Sequence, residues 1–385
     1  MSSQPAARNL LDPCEHAPQY IGAIAPYQPG KPISELAREM GLDEAGIVKL
    51  ASNENPLGLS PKARDAIDAA LPELGRYPDG NGFELKAALS ARYGVASERI
   101  VLGNGSNDVL EMIAGVFLAP GRAAVYAQHA FAVYPLATQA RGARGIVVPA
   151  KDYGHNLDAM RRAIDADTRV VFIANPNNPT GTLLAAAELE AFLREVPPGV
   201  VVVIDEAYNE YLPAAARYDS LPWVARHRNL ILTRTFSKAY GLAGLRVGFA
   251  LCDERVADLL NRVRQPFNVN NLALVAATAA LGDHAFVRRS HELNLAGMKQ
   301  LTDGYRRLGL EWIPSYGNFV SVAIPRANGA SRAAAVYGDL LRQGVIVRPV
   351  GGYGLPDHLR VTVGLPEENA RFLAALGATL ARAPV

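Results

Sequence analysis

Four branched aliphatic residues in a row, Val201, Val202, Val203 and Ile204, run straight into an acidic pair, Asp205 and Glu206. A run this short, β-branched and free of polar residues suits a strand buried on both faces, as in a parallel sheet covered by helices. A buried piece of helix could carry the same residues, but four positions are few for one. Short apolar strands of the same kind recur at 100–102, 123–126, 145–148, 169–174 and 230–233. Helical spacing is seen at 65–71, 83–93 and 107–117, and helices or loops separate the strands. The expected class is α/β, with a mainly parallel mixed sheet flanked by helices in a large domain.

At 385 residues the chain is too long for one simple core, so a smaller second domain is expected. Residues 253–281 read as helical with a break at QPFNVN, followed by a long helix over 284–308. Strands at 319–324, 345–348 and 359–362 then suggest a small α+β unit. Residues 1–58, punctuated by proline and glycine around one helical segment at 33–40, read as an N-terminal arm that contributes to the small domain and the substrate site. The expected division is this arm, a large domain over 59–282 and a small domain over 283–385.

A formal charge of +2 with no long run of one sign argues against nucleic acid or an anionic membrane as partner. The two cysteines, Cys14 and Cys252, form no CxxC pattern, so neither a disulfide framework nor a structural metal site is expected, and a reducing cytoplasm fits. The polar, proline-broken start MSSQPAARNLLDPCEH lacks an apolar h-region, and no uninterrupted apolar stretch of about 18 residues occurs. These features point to a cytosolic enzyme or binding protein.

Four motifs carry chemistry. TFSKAYGLAGLRVGF, residues 235–249, brings Ser237, Lys238 and Arg246 together after a strand. A lysine bonds to an aldehyde only while its amine is neutral, which needs a pocket that depresses its pKa. Arg246 offers a fork of donors suited to a phosphate, and Gly241, Gly244 and Gly248 would let the backbone turn around a bulky ligand. A solvated lysine beside an arginine satisfies the same spacing. In VVVIDEAYNEY, residues 201–211, Asp205 leaves the strand at the mouth of the expected crevice, with Tyr208 three residues on. Alone, Asp205 reads better as a helix N-cap. ANPNNPTGTLL, residues 174–184, is a turn that leaves Asn178 to point an amide into the crevice, or a plain turn. LGNGSNDVLEMI, residues 102–113, is a strand, a glycine turn and a helix, whose first N–H groups around Gly105, Ser106 and Asn107 form an anion site. It is neither a P-loop nor GxGxxG.

The order of these motifs, each at a strand end, resembles that of the fold-type I pyridoxal-phosphate-dependent transferases. Within them the chain resembles the histidinol-phosphate aminotransferases. The resemblance runs almost end to end, through PYQPGKP, VKLASNENPLG, RYPDG, GNGSND, AFAVYP, NPNNPTG, VIDEAYNEY, TFSKAYGLAGLRVGF, IVRP and LRVTVG. It implies pyridoxal 5'-phosphate as cofactor, with Lys238 joined to it and later moving a proton. It also implies Asp205 beside the ring nitrogen, and Asn178 and Tyr208 on the phenolic oxygen. Gly105, Ser106, Asn107, Ser237 and Arg246 would hold the phosphate, and Phe131 would stack on the ring. Tyr77 would reach the phosphate of the partner subunit, making a homodimer part of the mechanism.

The resemblance further implies that Arg348 and Arg360 share a substrate phosphate, while Tyr27 and Asn53 line the pocket. The expected reaction converts L-histidinol phosphate and 2-oxoglutarate to imidazole-acetol phosphate and L-glutamate, a step of histidine biosynthesis. Aromatic amino-acid aminotransferases and threonine-phosphate decarboxylase share most of these strings and remain alternatives, as does a pyridoxal-phosphate-binding regulator without turnover. The retained Lys238 speaks against the last. His129, Trp223, Trp312 and Cys252 read as packing or supporting residues.

Overall fold

The computed structural model describes residues 12–382; the N-terminal reading falls, over residues 1–11, outside the described residues. The arm holds more than the one expected helix. Besides Ile33–Met40 it forms a four-residue helix, Gln19–Gly22, and a strand, β1 (Val48–Lys49).

The main sheet has seven strands: β2 (Ile100–Gly103), β3 (Ala123–Ala127), β4 (Arg144–Val148), β5 (Thr168–Ala174), β6 (Val201–Asp205), β7 (Leu230–Thr235) and β8 (Gly248–Cys252). Their order is β2-β8-β7-β6-β5-β3-β4. All run parallel except β8, which is antiparallel to β2 and β7. Ala174 lies opposite Asp205, and Asp205 opposite Thr233, so these strands end level along one edge.

Both faces of the sheet are buried, as the apolar runs require. Along β6, Val202 and Ile204 pack into one layer with Leu230 and Leu232, while Val201 and Val203 pack into the other with Phe172 and Ile231. Each such side chain, removed from water, contributes about 1.5–3 kcal/mol. Helices Pro61–Ala70, Phe83–Tyr93 and Asn271–Leu281 cover the first layer. Gly105–Phe117, Val133–Ala140 and Glu254–Val263 cover the second. Trp223 sits in the first layer and Cys252 in the second, where burial pushes its thiol up to about 12, as suits an inert core residue.

The C-terminal part adds β9 (Trp312–Ile313), β10 (Phe319–Ala323), β11 (Val345–Ile346), β12 (Arg348–Pro349) and β13 (His358–Thr362). The single strand expected over 345–348 is two strands, because the chain changes sheets at Val347. β11 pairs in parallel with β1 of the arm, whereas β12 pairs antiparallel with β13 in a sheet ordered β12-β13-β10-β9. This switch sets Arg348 directly opposite Arg360. Helices His284–Arg307 and Pro366–Ala381 pack on this unit through Leu301, Tyr305, Phe372 and Leu376. No helix among the described residues is long and apolar enough to cross a membrane.

Candidate active site

The level edge of the main sheet delivers the chemistry. β2, β5, β6 and β7 end there, β8 begins there, and each hands its next residues to one cavity of about 200 Å³. Ser106, Asn107, Phe131, Asn178, Asp205, Tyr208, Ser237, Lys238 and Arg246 line it, and the arm and C-terminal sheet add Tyr27, Asn53, Arg348 and Arg360. Of the residues singled out from the sequence, Gly105 and Tyr77 are not on the wall. Gly105 lies just behind it, in the first turn of Gly105–Phe117, with φ 76; a Cβ there would strike the guanidinium of Arg246. Tyr77 is 83% exposed and stacks on Phe267 with ring centroids 4.7 Å apart.

At one end the chain gathers donors for an anion. Arg246 donates through Nη1 to Ser237 Oγ at 3.3 Å and to the Ala243 carbonyl at 3.0 Å. Ser106 and Asn107 flank it on a helix N-terminus, where unpaired N–H groups favour negative charge. Among the neighbouring glycines, Gly241 takes φ 72, a left-handed turn that glycine favours. A Cβ at Gly248 would strike the Ser106 amide and one at Gly241 the Gly58 carbonyl, so both serve close backbone approach. Gly244 has open space around it.

Lys238 follows β7 and donates from Nζ to the Ser52 carbonyl at 3.3 Å. Burial of its amine brings the pKa down to about 8, and the Arg360 and Arg246 cations push the same way. About a tenth of the amine is thus neutral at pH 7, far more than for an ordinary lysine, and it is the neutral form that reacts with an aldehyde. Labelling of Lys238 by an amine-directed reagent, followed by peptide mass mapping, is expected to rise with pH around a midpoint near 8 in the protein without cofactor. A midpoint near 10.5 would mean an ordinary solvated lysine.

Asp205 closes β6 and is buried, not placed on a helix N-terminus. Its Oδ2 accepts from the Tyr134 hydroxyl at 3.0 Å, and among the described residues its Oδ1 has no partner. Burial pushes the carboxyl up to about 6. Tyr208, also buried, accepts at its hydroxyl from Asn53 Nδ2 at 2.9 Å. Burial drives its phenol up to about 12. Asn178 accepts at Oδ1 from Arg360 Nη1 at 2.6 Å, while Arg360 Nη2 donates to the Ala51 carbonyl at 2.8 Å.

At the other end, Arg348 and Arg360 form a like-charge cross-strand pair on one wall. Arg348 donates to the Gln28 carbonyl at 2.6 Å and sits 5.6 Å from the Tyr27 ring centroid. Burial lowers the pKa of Arg360, and the Arg348 charge adds to that. Like charges directly opposite destabilise a sheet unless an anion offsets them.

Sequence reasoning missed Tyr353, Thr235 and Ser52 on the wall, and Tyr134 behind it. Tyr134 lies within the string AFAVYP, but nothing in its spacing says which way the ring points. His129 has Nδ1 2.6 Å from the Tyr353 carbonyl and accepts at its own carbonyl from Asn177, a supporting position off the wall.

Pyridoxal phosphate fits these residues. The unpartnered buried Oδ1 of Asp205 suits a protonated ring nitrogen, the low-pKa amine of Lys238 suits an aldehyde, and the cradle at Gly105 and Arg246 suits a phosphate. The profile of the aminotransferase class I and II family matches residues 45–376. A histidinol-phosphate aminotransferase 2 from Nitrosospira multiformis is 63% identical over 367 residues, covering 95% of this chain and 92% of that protein. A histidinol-phosphate aminotransferase 1 from Cupriavidus pinatubonensis is 64% identical, covering 93% of this chain and 95% of that protein. Among solved structures, histidinol-phosphate aminotransferase from Sinorhizobium meliloti in complex with pyridoxal-5'-phosphate superposes with a TM-score of 0.86 at 27% identity, covering 94% of this chain and 96% of that one. The chain belongs to the class I and II aminotransferases, and within them to the histidinol-phosphate aminotransferases.

Proposed function

We propose that the protein is a pyridoxal-phosphate-dependent transaminase that moves the amino group of L-histidinol phosphate to 2-oxoglutarate. The products are imidazole-acetol phosphate and L-glutamate. The observation that carries the choice of donor is the Arg348–Arg360 pair, two forked cations facing one cavity that also holds Lys238. A phosphate dianion satisfies two such forks better than a single carboxylate does. High identity to relatives of that name over most of the chain supports the same donor.

When bound, pyridoxal phosphate supplies an electrophilic aldehyde and a ring that draws charge from the substrate's α-carbon. Ser106, Asn107, Ser237 and Arg246, with the N–H groups that begin at Gly105, hold its phosphate. Phe131 covers a face of the ring. Asn178 and Tyr208 take the phenolic oxygen, and Asp205 takes the ring nitrogen. Lys238 Nζ holds the cofactor between turnovers and afterwards carries the proton that leaves the α-carbon. Because Arg360 donates to Asn178, the group that grips the donor's anion also fixes one that grips the cofactor. Tyr27 and Asn53 line the remaining wall. Tyr77, exposed and outside its own cavity, is read as serving the site of a second copy in a homodimer. The enzyme is placed in the cytoplasm, in keeping with its two unpaired cysteines.

The arginine pair can be tested directly. Arg348→Ala is expected to lower kcat/KM for histidinol phosphate by about 10- to 150-fold, the loss of one charge-assisted contact, and to affect phenylalanine far less. Arg360→Lys keeps the charge but loses the fork, and should weaken both donors, since Arg360 can also take a carboxylate. The two changes should not add, because both side chains grip one dianion. Equal losses for both donors in Arg348→Ala would shift the reading to an aromatic amino-acid aminotransferase.

A further inference from the structure

Tyr134 is fully buried and outside the cavity, yet it reaches the reacting end of the site. It lies in the first turn of Val133–Ala140, and its amide donates to the Phe131 carbonyl at 3.0 Å. Its ring stacks on Phe172 with centroids 4.8 Å apart and planes 8° from parallel. The Phe131 ring meets the same ring edge-on at 5.8 Å. Phe172 is a core residue of β5, so the Tyr134 ring is clamped from the sheet side and has little freedom to swing. From that clamp its hydroxyl donates to Asp205 Oδ2 at 3.0 Å, while Oδ1 is left without a partner among the described residues.

We propose that Tyr134 is a positioning residue for the reaction: its clamped phenol fixes one oxygen of Asp205 and leaves the other free for the cofactor's ring nitrogen. The proposal rests on reading Asp205 as the partner of that nitrogen. A carboxylate held by one oxygen loses its rotation, so the free oxygen is pre-aimed before the ring arrives. The same tyrosine touches Phe131, the residue read as stacking on the ring, so one side chain braces two supports of the cofactor.

The contact also bears on the charge of Asp205. Burial and the adjacent Glu206 favour the neutral acid, whereas the hydrogen bond from Tyr134, and after it the nearby Thr233 hydroxyl and Ala207 amide, favour the anion. Tyr208 and Lys238 are the other titratable groups coupled to it, and Thr233 of β7 lies beside it in the sheet. Burial and the charge of Asp205 hold the Tyr134 phenol well above its ordinary range, so it stays protonated and donates.

The test uses the full chain in four forms: parent, Tyr134→Phe, Asp205→Asn and the double variant. Carboxylate NMR of the cofactor-free protein, with the Asp205 signal assigned by its loss in Asp205→Asn, is expected to show a midpoint raised by about one pH unit in Tyr134→Phe. Pyridoxal phosphate should bind roughly tenfold more weakly to Tyr134→Phe than to the parent, yet equally well to Asp205→Asn with and without the second change. Leu260→Ala loosens the same core layer on Glu254–Val263, away from the Tyr134 ring; it should lower Tm and leave the midpoint in place. Three results would overturn the role of Tyr134 alone: an unmoved midpoint in Tyr134→Phe, a midpoint moved as far by Leu260→Ala, or effects on cofactor binding that simply add. Parental cofactor affinity in Asp205→Asn would instead overturn the reading of Asp205, and the Tyr134 proposal with it.

Discussion

Replacing Lys238 by alanine is expected to abolish turnover, a loss of at least about 10³-fold, while the protein still folds and takes up pyridoxal phosphate without a covalent link. Lys238 Nζ is the amine in the cavity whose pKa is brought down to about 8, and no other lysine lines that wall. Removing it takes away both the attachment point and the group that carries the proton. The remaining phosphate cradle around Arg246 and the walls at Phe131 and Tyr208 keep their contacts, so cofactor affinity falls less than activity. Borohydride treatment of the parent, followed by peptide mass mapping, should place the cofactor on Lys238. A label on any other lysine would contradict the assignment.

Asp205→Asn should fold normally and lose about 10²- to 10³-fold in kcat, the scale set by removing one preorganised charge-stabilising group. The amide nearly matches the carboxyl in size and shape, so the local packing has little reason to change. It cannot supply the anion that keeps a ring nitrogen protonated, and charge from the α-carbon then has no sink. Activity within about threefold of the parent would rule the role out.

Much of the site was legible because of how parallel sheets present their ends. Strands that run parallel and end level put the residues after them at one edge, so Asp205, Asn178, Lys238 and the Gly105 turn could be grouped without coordinates. The class of fold followed from the β-branched runs, whose alternate residues do pack into two layers.

What stayed hidden depends on contacts between distant segments. Asn53 meets Tyr208 across 155 residues and Arg360 meets Asn178 across 182, and no local pattern encodes either meeting. The split of the expected strand at 345–348 needed knowledge of its two partners, β1 and β13. That split decides the donor argument, since it is what sets Arg348 opposite Arg360. The close approaches at Gly241 and Gly248 stayed hidden for a related reason: they are fixed by the backbone met at Gly58 and Ser106, not by spacing.

The central claim is that the cavity is built for a phosphorylated amino donor. Its most direct test is kcat/KM of the parent enzyme for L-histidinol phosphate, L-phenylalanine and threonine phosphate, measured in parallel with 2-oxoglutarate as acceptor. The Arg348–Arg360 pair predicts that histidinol phosphate leads phenylalanine by about 10²-fold or more, from the added charge-assisted contacts to its phosphate. It should be transaminated, and threonine phosphate should not be decarboxylated at a comparable rate. Phenylalanine matching or exceeding histidinol phosphate would contradict the claim.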